Sequence, residues 1–147
     1  MSATDVLTAA RKLRGLIESE AELVEQKSTM TPKVVDALVD AGLFRLLVPR
    51  ELGGTEADPG TIIDVCEELS FADGSVGWAF AQNTTVLAYA ATLQPDHALP
   101  LARARTGAGM FAPLGVAHRE DGGFRISGSY PSAVVAATLS TWVARRW

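Results

Sequence analysis

Three observations predict a mainly α-helical fold that runs into a β-hairpin near its C-terminal end. Apolar residues recur every three or four positions through most of the first hundred residues. Cap and stop residues punctuate that pattern. Past Gly107 the period shortens to two around an Asp-Gly-Gly turn. The 147 residues suit about one domain, and 48% hydrophobic against 20% charged residues supply a core rather than a disordered chain.

The first helix is expected from Thr4 to about Thr29. Val6, Ala10, Leu13, Ile17, Ala21 and Val24 share one face, and Thr4 or Asp5 supplies the cap. Gly15 costs this helix about 1 kcal/mol relative to Ala, which a stripe this regular tolerates. Thr31 as N-cap, Pro32 in the first turn and Gly42 as a left-handed stop bound a second helix. Val34, Val35, Leu38 and Ala41 form its inner face, with Lys33, Asp36 and Asp40 in water. Leu43 to Val48, closed by Pro49, reads as an extended crossing into the Arg50–Gly54 loop.

Asp58-Pro59 opens a third helix with Ile62, Val65, Cys66 and Leu69 as its stripe and Glu67-Glu68 outward in solvent. Ala72-Asp73-Gly74-Ser75 ends it, and Ser75 caps a fourth helix running through Trp78, Phe80, Val86 and Tyr89 to about Leu93. Pro95-Asp96 starts a short fifth helix ending near Thr106-Gly107. Met110–Glu120 and Phe124–Tyr130 then flank Asp121-Gly122-Gly123 as a hairpin, with Phe124 and Ile126 inward and Arg125 and Ser127 outward.

Two features point to partners outside this core. Residues 74–95 carry no charge, long enough to span a bilayer, but Gln82, Asn83, Thr84 and Thr85 at the middle argue for a buried helix that needs cover on nearly all sides. A lone two-stranded hairpin is marginal in water and needs further strands or a helix.

Chemical constellations are sparse. A net charge of −4 argues against nucleic acid and against a polybasic membrane patch. One cysteine, Cys66, excludes a disulfide framework and, with His97 and His118 far apart, no metal set is formed. No basic and apolar leader opens the sequence, so a reducing cytoplasm is expected. Gly53-Gly54 and Gly122-Gly123 are turn chemistry rather than phosphate loops. Cys66 sits on a packing stripe, and adjacent Glu67 and Glu68 diverge around a helix. Trp78 and Asn83 stand out, because an indole and a buried amide both need partners, supplied by the fold or by a ligand.

Pro32, the stretch Gly42–Gly54 (Gly-Leu-Phe-Arg-Leu-Leu-Val-Pro-Arg-Glu-Leu-Gly-Gly), Glu67-Glu68-Leu69 and Ala72-Asp73-Gly74-Ser75-Val76-Gly77-Trp78 resemble the N-terminal helical domain of the acyl-CoA dehydrogenase superfamily. The resemblance covers residues 4 to 131, and the Asp-Gly-Ser-x-Gly-Trp element is similar to the flavin-dependent monooxygenase branch, which hydroxylates aromatic or polycyclic substrates with reduced flavin from a separate reductase. Gly123 to Pro131 resembles the hairpin strand that opens the family's middle β-domain.

The resemblance implies an orthogonal, up-down helical domain over residues 1–108 and the first strands of an incomplete β-barrel over 109–131. It also implies a subunit more than twice this length, with a C-terminal helical bundle that covers the uncharged helix and supplies the catalytic Glu or His. No residue of this chain inherits that catalytic role. FAD or FMN is the implied cofactor, with Ala112, Pro113, Leu114 and Tyr130 as its contacts and Trp78 and Asn83 toward a small-molecule substrate. A homo-oligomer and a flavin reductase are the implied partners. Dehydrogenation of an acyl thioester is the alternative chemistry, and an inactive truncated product or a helical interaction module the non-enzymatic one.

The family pattern stops at Pro131. Members continue with Phe, a small residue, Ser-Gly, two further residues and His-Ala, where this chain has Ser132-Ala133-Val134-Val135-Ala136-Ala137-Thr138-Leu139. Shifting the reading frame one base earlier lets every one of these codons meet the pattern. Residues 132–147 are therefore expected to be an out-of-frame tail.

Overall fold

The computed structural model describes residues 2–109 and 115–128. Its elements are α1 (Ala3–Lys27), α2 (Pro32–Asp40), α3 (Pro59–Ala72), α4 (Gly74–Ala88), α5 (Pro95–Ala102), β1 (Gly115–Glu120) and β2 (Gly123–Gly128). The fold is mainly helical with a two-stranded antiparallel hairpin, as the sequence predicts.

Local chemistry bounds each helix. Ser2, rather than Thr4 or Asp5, caps α1 through a reciprocal box: its hydroxyl accepts from the Asp5 N–H, and the Asp5 carboxylate accepts from the Ser2 N–H at 3.0 Å. Those backbone and side-chain bonds from Ser2 hold the Asp5 carboxyl below its ordinary value. Thr31 caps α2 by accepting from the Val34 N–H, and Pro32 occupies the first turn. Asp58 caps α3, accepting from the Thr61 hydroxyl at 2.6 Å and the Thr61 N–H at 3.0 Å, and these bonds lower its pKa.

α1 lies along α3, and α3 along α4, so one face of each closes a single core. Val6, Ala10, Ile17 and Val24 of α1 meet Val34 and Leu38 of α2, Val65 and Leu69 of α3, and Val76, Phe80 and Leu87 of α4. Each large side chain taken fully from water contributes about 1.5–3 kcal/mol.

The crossing from Leu43 to Val48 is not extended. Gly42 turns left-handed (φ +70°), and Leu43–Arg45 forms a 3-10 turn that buries Leu43, Phe44, Leu46 and Val48. The chain then doubles back, with Thr55, Glu56 and Ala57 donating to the carbonyls of Arg45, Val48 and Leu46 at 2.8–3.1 Å. These non-local bonds satisfy the backbone that a ladder would have served.

Two further boundaries differ from expectation. The fourth helix tightens to a 3-10 turn at Tyr89–Thr92 instead of continuing to Leu93. α5 ends at Ala102, short of Thr106-Gly107. In the hairpin, Ala117 pairs with Ile126 and Arg119 with Phe124. Phe124, Ile126 and Val116 are exposed rather than inward, since no other described element covers them.

Candidate functional site on the uncharged helix

The site is built around α4, where the Asp73–Trp78 motif resolves into separate physical tasks. Asp73, not Ser75, is the cap. Extended at φ −160°, it ends α3, and its carboxylate accepts from the Val76 N–H at 2.9 Å to start α4. Gly77 sits at the tightest approach of the two helices, where a Cβ would fall 1.9 Å from Ser70 Oγ. Cys66 packs at the same crossing, its Sγ 3.9 Å from the Gly77 carbonyl.

Successive helical residues point about 100° apart, so with Gly77 pressed on α3 the next side chain is free. Trp78 is 60% exposed. Ser75, Trp78, Gln82, Thr85 and Tyr89 follow at three- and four-residue steps, and all are exposed or half-buried. This open face has no charge. Val76, Phe80, Asn83 and Leu87 form the buried face.

The two residues assigned to a substrate thus lie on different faces. Asn83 is wholly buried, and both ends of its amide are engaged: Nδ2 donates to the Ala79 carbonyl at 2.9 Å and Oδ1 accepts from the Gly107 N–H at 2.8 Å. The flavin contacts implied for Ala112, Pro113, Leu114 and Tyr130 lie outside the described residues.

Glu68 departs from its solvated assignment. Its side chain is only 12% exposed, bonded to Arg14 and, at 3.4 Å, to Arg11. Arg14 also lies over the exposed Phe71 ring, 4.5 Å from its centre. Two arginines three apart on one side of α1 were the sequence signal for this cluster. It ties α1 to α3. Glu20 does the same between α1 and α2: bonds from Thr31 and then Lys33 hold its carboxyl below its ordinary value.

Comparison with known proteins places this geometry. Residues 7–99 match the family model for the acyl-CoA dehydrogenase N-terminal domain. The chain belongs to the acyl-CoA dehydrogenase family. Relatives include the indole-3-acetate monooxygenase of Pseudomonas putida, 33% identical over 120 residues covering 72% of this chain and 28% of the relative. The flavin-dependent monooxygenase oxygenase subunit HsaA of Mycobacterium tuberculosis is 28% identical over 87% of this chain and 33% of its own length. The crystal structure of that HsaA superposes with a TM-score of 0.79 at 27% identity, covering 87% of this chain and 36% of the other. XiaF from Streptomyces, in complex with FADH2 and glycerol, shares the fold with a TM-score of 0.78 over 89% of this chain and 34% of its own. The chain spans about a third of the length of the relatives it matches. No helix among the described residues is long and apolar enough to cross a membrane.

Proposed function

We propose that this chain is the helical portion and first hairpin of a reduced-flavin monooxygenase acting on an aromatic or polycyclic substrate, and that the open face of α4 is its substrate-side wall. The observation that carries the reading is the Trp78 face: an exposed indole on a helix without an ionisable group from Gly74 to Ala88, in a family whose matched relatives are flavin-dependent monooxygenases. An uncharged aromatic wall offers ring faces to a planar substrate and nothing that would pair with phosphate.

Flavin, FAD or FMN, is the cofactor in this reading, with Ala112, Pro113, Leu114 and Tyr130 as its protein contacts. Bound reduced flavin would supply the activation of oxygen, and a flavin reductase would deliver it. The described residues contribute around that chemistry. Trp78 and Tyr89 present apolar area to a ring, Gln82 offers an amide at the same face, and Phe80 and Leu87 behind them keep water from the wall. Gly74–Ala88 itself carries no carboxylate or imidazole to move a proton, so in this reading the acid–base group comes from another part of a longer, oligomeric enzyme. Residues 132–147 belong in this proposal to an out-of-frame tail, and translating the gene past codon 131 in each frame tests that. A shifted frame encoding a β-domain and helical bundle is the expected result; its absence overturns the frameshift.

The functional test expresses the form that continues into those domains and assays it with an aromatic substrate, with and without a flavin reductase. Reductase-dependent gain of one oxygen atom is the expected outcome. Desaturation of an acyl thioester without a reductase would select the dehydrogenase chemistry instead.

A further inference from the structure

We propose that Asn83 is a positioning residue rather than a substrate contact: its amide latches the segment Thr106–Gly109 to α4 and so fixes where the chain leaves the helical layer for the hairpin. Three observations converge on this. Asn83 is fully buried, twenty-four positions from Gly107, and its Oδ1 takes the Gly107 N–H at 2.8 Å while Nδ2 is anchored on Ala79 of its own helix. Thr106 and Gly107 are themselves buried, although they lie beyond the last helix. Gly107 and Gly109 rest flush on Val86, where an added Cβ would stand 2.8 and 2.7 Å from its methyl groups. A backbone N–H buried this way needs a partner, and the Asn83 carbonyl oxygen provides it.

The latch sits on the helix that carries the Trp78 face, one turn along and on the opposite side. It holds the connection to the hairpin against the back of the proposed substrate wall. Its consequence for flavin rests on the reading above; the latch itself does not.

Hydrogen exchange on the whole chain tests it. Asn83→Leu keeps the volume and removes both bonds. The Gly107 amide is expected to lose protection at least tenfold while Val34, Leu38 and Val65 keep theirs; unchanged protection of Gly107 would overturn the latch. Asn83→Asp separates hydrogen bonding from packing and decides the matter if Asn83→Leu fails to fold. A neutral carboxyl can donate its O–H to Ala79 and accept from Gly107, whereas a carboxylate, although it still accepts from Gly107, faces the Ala79 carbonyl with no proton to share and is a buried charge that draws in water and opens the contact. Gly107 protection in Asn83→Asp is therefore expected near the wild-type level in acid and to fall as the carboxyl ionises. Wild type, with the same Arg45, Cys66, Asp73 and His97 on neighbouring elements, is the control for other titrations. A profile identical to wild type would overturn the proposal. The Gly107 amide reports whether or not the chain binds a flavin. Where wild type does bind FAD, a tenfold weaker affinity is expected for Asn83→Leu, and an equal affinity contradicts the positioning role.

Discussion

At the residue scale, Gly77 and Trp78 are neighbours with opposite obligations. Gly77 is where α3 and α4 touch, and a methyl group there meets Ser70 backbone and side-chain atoms at 1.9–2.8 Å. Gly77→Ala is expected to destabilise the chain by about 1–3 kcal/mol, the usual range for overpacking. Denaturant unfolding measures this, and Ser70→Gly should recover part of the loss. Trp78 bears no such load. Trp78→Ser should change stability by no more than about 0.5 kcal/mol, as exposed substitutions do. On the proposed reading its effect falls on substrate affinity in the form that continues past Pro131, and a mutant that unfolds instead would remove Trp78 from the proposed wall. Asn83 shows where residue-type reasoning stops: the sequence identifies a buried amide in need of partners, but only the fold brings Gly107 to it.

At the scale of elements, the caps of α2 and α3 and the apolar stripes were legible because they are local. Thr31, Pro32, Asp58 and the apolar periods of α1 to α3 act within a turn or two of themselves. The crossing at Leu43–Val48 was not, since a short apolar run reads alike as strand or turn, and the deciding bonds come from Thr55–Ala57. Glu68 was misplaced for the same reason: its partners stand on α1, more than fifty positions away. Asp73 closes α3 through its backbone N–H on Leu69 and caps α4 through its carboxylate, so Asp73→Ala should cost about 0.5–2 kcal/mol and loosen the first turn of α4 in hydrogen exchange while α3 keeps its protection. Equal loss in α3 would show that the side chain holds both helices. Acid should act on the same joints. Asp5, Glu20 and Asp58 are held below ordinary values of 3.8, 4.5 and 3.8, so the folded chain resists protonation more than the unfolded one does. Their contribution is complete above those ordinary values and is lost as pH falls through the lower folded ones. Stability measured by denaturant from neutral pH downward should stay level and then decline below about pH 4.5. Glu20→Gln should flatten that decline.

At the scale of the described molecule, the helical core closes on itself while the uncharged face of α4 stays open and the hairpin leaves Val116, Phe124 and Ile126 exposed. The sequence carried this imbalance as a charge-free run and a hairpin without further strands. The chain spans about a third of the length of the relatives it matches, and on the proposed reading the remainder covers both. The flavin contacts proposed for Ala112, Pro113, Leu114 and Tyr130 come from the family resemblance rather than from composition or period, and they lie outside the described residues. The measurement that bears most directly on the proposed chemistry is reductase dependence in the form that continues past Pro131. The account predicts that an aromatic substrate gains one oxygen atom only when a flavin reductase supplies reduced flavin, and that Trp78→Ala weakens substrate affinity in that assay. Oxidation of an acyl thioester with no reductase present, unaffected by Trp78→Ala, would contradict it.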